Sequence, residues 1–160
     1  MDEPLDKPTV YLETTIPSYL AGRPSRDLVA AAHQQVTHDW WASAESRFDL
    51  FVSEAVLAEC QAGDPSVAAR RLEIVQSLPV LVLNDDVRDL VRTYSSRLGL
   101  PPQAGADVLH IAFAVSYELD YLVTWNCRHI ANGATIYRLI GINNDLGRHT
   151  PLILTPEELE

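Results

Sequence analysis

The chain has 160 residues, 47% of them apolar, and a net charge of −10 from 22 acidic and 12 basic side chains. That length and apolar content suit one domain, residues 1–160, with an ample core. The charge argues against a tight, indiscriminate nucleic-acid binder, since phosphate affinity is drawn mainly from Lys and Arg, and no apolar run approaches the roughly 18–20 residues of a membrane span.

The opening MDEPLDKPTV is acidic and lacks the basic and apolar regions of a signal peptide. Cys60 and Cys127 form no CxxC and no paired framework, so the expected setting is cytoplasmic and reducing. Local basic groups occur at Arg23 with Arg26, Arg70 with Arg71, and Arg128 with His129.

Thr9–Leu12 (TVYL), short and rich in β-branched and aromatic residues, predicts a strand. TTIPSYLAGRPS carries two prolines and a glycine and predicts a loop with at most a helical turn. Asp27 to about Arg47 is long and breaker-free and reads as a helix, followed by a strand at Asp49–Ser53. Ser53 resembles an N-cap for a helix to about Gln61, ended by Gly63–Asp64–Pro65. Pro65–Leu78 is a further helix, with Val67, Leu72, Val75 and Leu78 near one face. Pro79–Leu83 (PVLVL) has strand length, and Asn84–Asp86 opens a helix ending at Gly99. LPPQAG is a loop. Ala106–Leu119 is apolar on nearly every side, the mark of a buried helix. Tyr121–Thr124 reads as a strand, Ala134–Asn143 as a helix and Pro151–Leu154 as a last strand.

Strands alternating with helices imply an α/β fold: a mostly parallel sheet covered on both faces. Ligands bind such sheets beyond the carboxyl ends of the strands. Glu13, after the first strand, and Asn126, after a later one, fall on that edge. Glu59 lies near the end of its helix, five residues after Glu54, so the two project in different directions and one faces the crevice. Asp107 is the only charge in the first turn of a greasy helix, favoured there by the helix dipole yet carried toward the interior. Oxygen donors gathered at element ends suit a hard cation, Mg²⁺ or Mn²⁺, which a cluster of like charges needs for neutralisation.

Each of these residues also has a plainer reading: a loop opener for Glu13, a solvated helix residue for Glu59, a helix-start aspartate for Asp107 and a turn residue for Asn126. His110, one turn after Asp107, reads as a satisfied buried histidine, and Asp120 as a structural turn residue. Thr14 and Thr15 could donate hydrogen bonds to an ordered carboxylate or hold a bound water. Trp40, Trp41 and Trp125 could stack on bases, with packing as their default. The histidines and cysteines show no zinc spacing, and GxGxxG, Walker A and GxSxG are absent.

VYLETTIPSYL, SEAVLAEC and GADVLHIAFAVSYELDYLVTWNCRHIAN occur in the order found in PIN-domain nucleases, and the chain resembles the VapC-type toxins among them. The resemblance runs nearly the whole length, to PLILTPEEL. It implies a five-stranded, three-layer α/β sandwich and a Mg²⁺- or Mn²⁺-dependent endoribonuclease site. On that pattern Glu13, Glu59 and Asp107 hold the metal and Asn126 supports it or a bound water. It also implies an RNA substrate, a homodimer and a cognate antitoxin partner. Two departures stand out: Glu13 replaces the usual aspartate and Asn126 an acid found in many members. The longer Glu13 side chain carries its oxygens about 1.5 Å farther out, so Glu13→Asp would raise activity if that reach impairs the geometry. The losses leave a second expectation: a catalytically weak or inactive PIN-like scaffold that binds protein or RNA.

Overall fold

A computed structural model describes residues 6–159. Residues 1–5, the start of the acidic N-terminal stretch, and residue 160 lie outside it. Five short strands, β1 (Thr9–Leu12), β2 (Asp49–Ser53), β3 (Val80–Leu81), β4 (Tyr121–Val123) and β5 (Leu152–Leu154), form one all-parallel sheet in the order β3–β2–β1–β4–β5. Parallel neighbours need long crossovers, and helices supply them. α1 (Thr15–Ala21) and α2 (Leu28–Arg47) lead to β2, and α3 (Glu54–Cys60) and α4 (Pro65–Val75) to β3. α5 (Asp85–Arg97) and α6 (Gly105–Ser116) lead to β4, and α7 (Gly133–Leu146) to β5. This is the α/β, five-stranded architecture anticipated from the alternating pattern.

The strand order runs outward in opposite directions from β1 and β4. Right-handed crossovers therefore put the helices before β3 on one face and α5–α7 on the other. A strand covered on both faces has no solvent side, which is why Val10, Tyr11 and Leu12 are all fully buried. Ile111, Phe113, Leu122, Ile130 and Leu139 continue the same core.

Side-chain caps set most helix starts. Asp27 accepts from the amide of Ala30, Ser53 from Val56, Asp64 from Ser66 and Val67, Asn84 from Val87 and Asn132 from Ala134. At α7 the left-handed Gly147 (φ 68°) closes the C-terminal end, three residues beyond the expected Asn143.

The segment expected to be a loop after β1 is instead the seven-residue helix α1. Pro17 is its third residue, where a missing amide hydrogen breaks no intrahelical bond. The predicted strand Pro79–Leu83 shrinks to Val80–Leu81, because side chains take over the rest. The Leu83 amide donates to Glu54 Oε2 (2.9 Å), and the Tyr117 hydroxyl bonds both polar backbone groups of Val82. α4 ends at Val75, three residues short of Leu78, and α6 at Ser116, short of Leu119, where Glu118 turns the chain with φ 54°. Among the described residues no helix is long and apolar enough to cross a membrane.

Candidate functional site

The sheet reverses its direction of growth between β1 and β4, the topological switch point where parallel sheets hold ligands. Leu12 pairs with Val123 there, so Glu13 and Thr124 leave the sheet side by side. Glu13 is 4% exposed, and its backbone amide still continues the ladder to the Val123 carbonyl (3.1 Å). Its Oε2 accepts from the Thr15 amide (3.1 Å), the Thr15 hydroxyl (2.6 Å) and the Thr124 hydroxyl (2.7 Å). Three donors on one oxygen fix the direction of that carboxylate. The Thr15 hydroxyl also accepts from the Trp125 amide (2.8 Å), stitching the ends of β1 and β4 together.

Of the two glutamates on α3, Glu54 accepts from the Leu83 amide just beyond β3, and Glu59 turns toward His110 on α6. Glu59 Oε1 meets His110 Nε2, and His110 Nδ1 lies 2.6 Å from the Tyr11 hydroxyl. That hydroxyl lies 2.7 Å from Ser53 Oγ, which accepts from the Val56 amide. Burial pushes the Glu59 pKa up, but hydrogen bonding, first of all to His110, outweighs it and leaves it lowered. The Thr14 hydroxyl itself is buried beside Glu59 with no partner in hydrogen-bond geometry. Thr15, then, orders a carboxylate as the sequence suggested, and Thr14 does not.

Asp107, in the first turn of α6, has both oxygens engaged. Oδ1 accepts from the Asn126 amide (2.9 Å), and Oδ2 lies 2.8 Å from His129 Nδ1. Asn126 in turn accepts from the His129 backbone amide (3.0 Å), and its own backbone amide donates to the Thr124 hydroxyl (2.9 Å). The carboxamide is thus a strut: one end on Asp107, the other on the loop after β4.

One hydrogen-bonded network therefore links Glu13, Thr124, Asn126, Asp107 and His129. Glu13 and Glu59 both act on the Tyr11 phenol, whose pKa is raised well above its ordinary value first by burial and further by these two charges. The donor set is all oxygen and chemically suited to a hard divalent cation. Its placement is another matter: among the described residues no three His, Cys, Asp or Glu side chains stand so as to hold one ion. Each acid is instead met by protein donors or a histidine.

The aromatic and basic candidates are mostly committed elsewhere. Trp125 is buried, stacked on His33 (4.0 Å, 11°), edge-on to Tyr19 and bonded through Nε1 to the Thr37 hydroxyl (2.7 Å). Trp40 is core. Arg70 and Arg71 donate to the carbonyls of Ala21 and Cys60, closing the ends of α1 and α3. Arg23, Arg26 and Arg128 are exposed. Asp120 ties down Thr9 at the opposite end of the sheet, as a structural residue would. Sequence reasoning missed Tyr11 and Thr124 as site residues, and read Ser53 only as a cap and His129 only as a local basic group. Only the burial of polar groups inside apolar runs could have flagged Tyr11 and Ser53.

A parallel sheet with acids at its switch point defines the class. No protein-family profile and no curated protein sequence matches the chain. Solved structures do. VapBC2 from Rickettsia felis, bound to a DNA fragment from their promoter, is 18% identical with a TM-score of 0.60, over 92% of this chain and 98% of that one. VapC20 of Mycobacterium tuberculosis, a sarcin–ricin loop cleaving toxin, is 15% identical with a TM-score of 0.54, over 71% and 87%. The likeness is one of fold: the chain has the PIN-domain fold of the VapC type.

Proposed function

We propose that the chain is a Mg²⁺- or Mn²⁺-dependent endoribonuclease of the VapC toxin type, inhibited by a cognate antitoxin and acting as a cytoplasmic homodimer. The observation that carries this reading is the network at the switch point, where Thr124 and Asn126 couple Glu13 to Asp107. The fold shared with an RNA-cleaving toxin and with a toxin–antitoxin complex supports it.

In this reading Glu13, Glu59 and Asp107 would hold the cation, and it would supply charge neutralisation, Lewis acidity toward a phosphate oxygen and a more acidic water. Because no three of these groups converge as placed, side chains of the site would have to shift for the ion to be held, with Glu59 keeping Oε1 on His110. The chain's own part is to keep Glu13 rigid through Thr15 and Thr124 and to aim Asp107 through Asn126. Exposed Arg23, Arg26 and Arg128 supply positive charge for an RNA backbone on an otherwise acidic protein.

Calorimetric titration with Mn²⁺, run beside RNA cleavage assays, tests the proposal. Wild type should bind Mn²⁺ in the millimolar range or tighter and lose cleavage in excess EDTA. Asp107→Asn should abolish cleavage with an unchanged circular-dichroism spectrum. Full activity in that variant, or in EDTA, overturns the reading. The non-catalytic scaffold is favoured by one observation, the absence of three converging acids among the described residues. A protein that binds antitoxin or RNA but neither Mn²⁺ nor Mg²⁺ would select it.

A further inference from the structure

We infer that Ser53, Tyr11 and His110 form a one-way hydrogen-bond chain that holds Glu59 toward the site, which makes Tyr11 and His110 positioning residues for that acid. The chain begins and ends on α3: Ser53 is its N-cap and Glu59 its penultimate residue. In between it crosses Tyr11 on β1 and His110 on α6, so one short helix is clamped against a strand and a second helix. Ser53, Tyr11 and His110 are each fully buried, beyond the reach of solvent that might satisfy them otherwise.

The direction of the chain follows from its first link. The Val56 amide can only donate, so Ser53 Oγ accepts from it. The Ser53 hydroxyl proton then goes to the Tyr11 oxygen, and the Tyr11 proton to His110 Nδ1. That leaves Nε2 carrying the ring proton and donating to Glu59 Oε1. In the reverse direction Ser53 would accept from both Val56 and Tyr11, and its own proton would have no acceptor in a fully buried position. A proton on Nδ1 alone would also turn the Nε2 lone pair toward the carboxylate. Tyr11 is fixed by its edge contact with His110 (5.8 Å) and its stack on Phe113 (6.4 Å). The partner that orients a ligating or reacting carboxylate sets its geometry, and removing such a partner typically costs 10–100-fold in affinity or activity, a range of about that size here.

Long-range ¹H–¹⁵N correlation spectra of the histidine rings test the chain, with His110 assigned through His110→Gln. Wild type should show His110 as a single tautomer, Nε2 protonated and Nδ1 bare, and Tyr11→Phe should mix the tautomers. A wild-type ring protonated at Nδ1, alone or together with Nε2, overturns the proposal. The activity arm rests on the nuclease reading. Tyr11→Phe and His110→Leu should lower kcat for RNA cleavage about 10–100-fold with little change in KM. His110→Gln, which keeps an N–H near the Nε2 position, should recover most of it. Equal loss in the Leu and Gln variants, with both folded, counts against positioning. Should wild type cleave no RNA, the nuclease reading fails while the tautomer still decides the chain, and the wild-type spectrum decides it even if Tyr11→Phe does not fold.

Discussion

Glu13 shows how far one side chain can be specified by its neighbours. From sequence, its extra methylene relative to the aspartate usual in PIN-domain nucleases is a departure that Glu13→Asp mends if the longer reach impairs the geometry. In the fold, the Thr15 amide and hydroxyl and the Thr124 hydroxyl all converge on Oε2 at the reach of a glutamate. Withdrawing that oxygen by about 1.5 Å leaves the Thr124 hydroxyl and the Thr15 donors without their acceptor. An unmade buried bond costs about 1–3 kcal/mol. Glu13→Asp should therefore lower the unfolding free energy read from urea titration by about that amount and reduce cleavage. Higher activity from that variant would mean that the threonines follow the shorter side chain inward. Asp107 was legible at the same scale, as a lone charge in an apolar helix. Its partners were not, because His129 lies 22 residues away and no periodicity relates the two.

At the scale of elements, α3 has only seven residues and cannot be stable alone, so its cap and its packing decide where Glu59 points. Ser53 serves both, capping Val56 and bonding Tyr11. Ser53→Ala should cost about 2 kcal/mol, the upper end for a cap, whereas Asp27→Ala at the exposed start of the long α2 should cost about 1. Urea denaturation of the two variants compares them directly, and equal losses would show that the Tyr11 link adds nothing. The caps at Ser53 and Asn84 were readable because they depend on residues three positions away. α1 was not, since Pro17 reads as a breaker unless its place in the first turn is known. Nor was the short β3, whose outer positions are satisfied by Glu54 and Tyr117 from other elements.

Across the whole molecule, the second half of the chain is tied together by polar contacts between α5 and the segment around α7. Asp86 binds Arg148 and the Ser116 hydroxyl, and the Tyr94 hydroxyl donates to Asn143 Oδ1 (2.5 Å). Hydrogen bonds from Arg148 and then Ser116 bring the Asp86 pKa down to about 2. A depressed carboxylate stabilises the fold fully above its unfolded value, about 4, and the contribution fades as pH falls through about 2. Its side chain is 41% exposed, so solvent screens the pair and the gain is modest. Asp86→Asn should thus lower the urea midpoint at pH 7, and the gap to wild type should close between pH 4 and 2. A gap that persists at pH 2 would assign the effect to packing.

Chain order and hydrophobic period, both local properties, determined that strands would alternate with helices, that the sheet would be parallel, and that Glu13 and Asn126 would leave it at the same edge. Only the tertiary structure decided what those groups touch. Glu59 finds His110 across 51 positions and Glu13 finds Thr124 across 111, contacts set by how β1, α3, β4 and α6 pack. A periodic pattern records which face of an element is buried. Which donor meets which oxygen there follows from the mutual placement of elements, fixed only when the core closes.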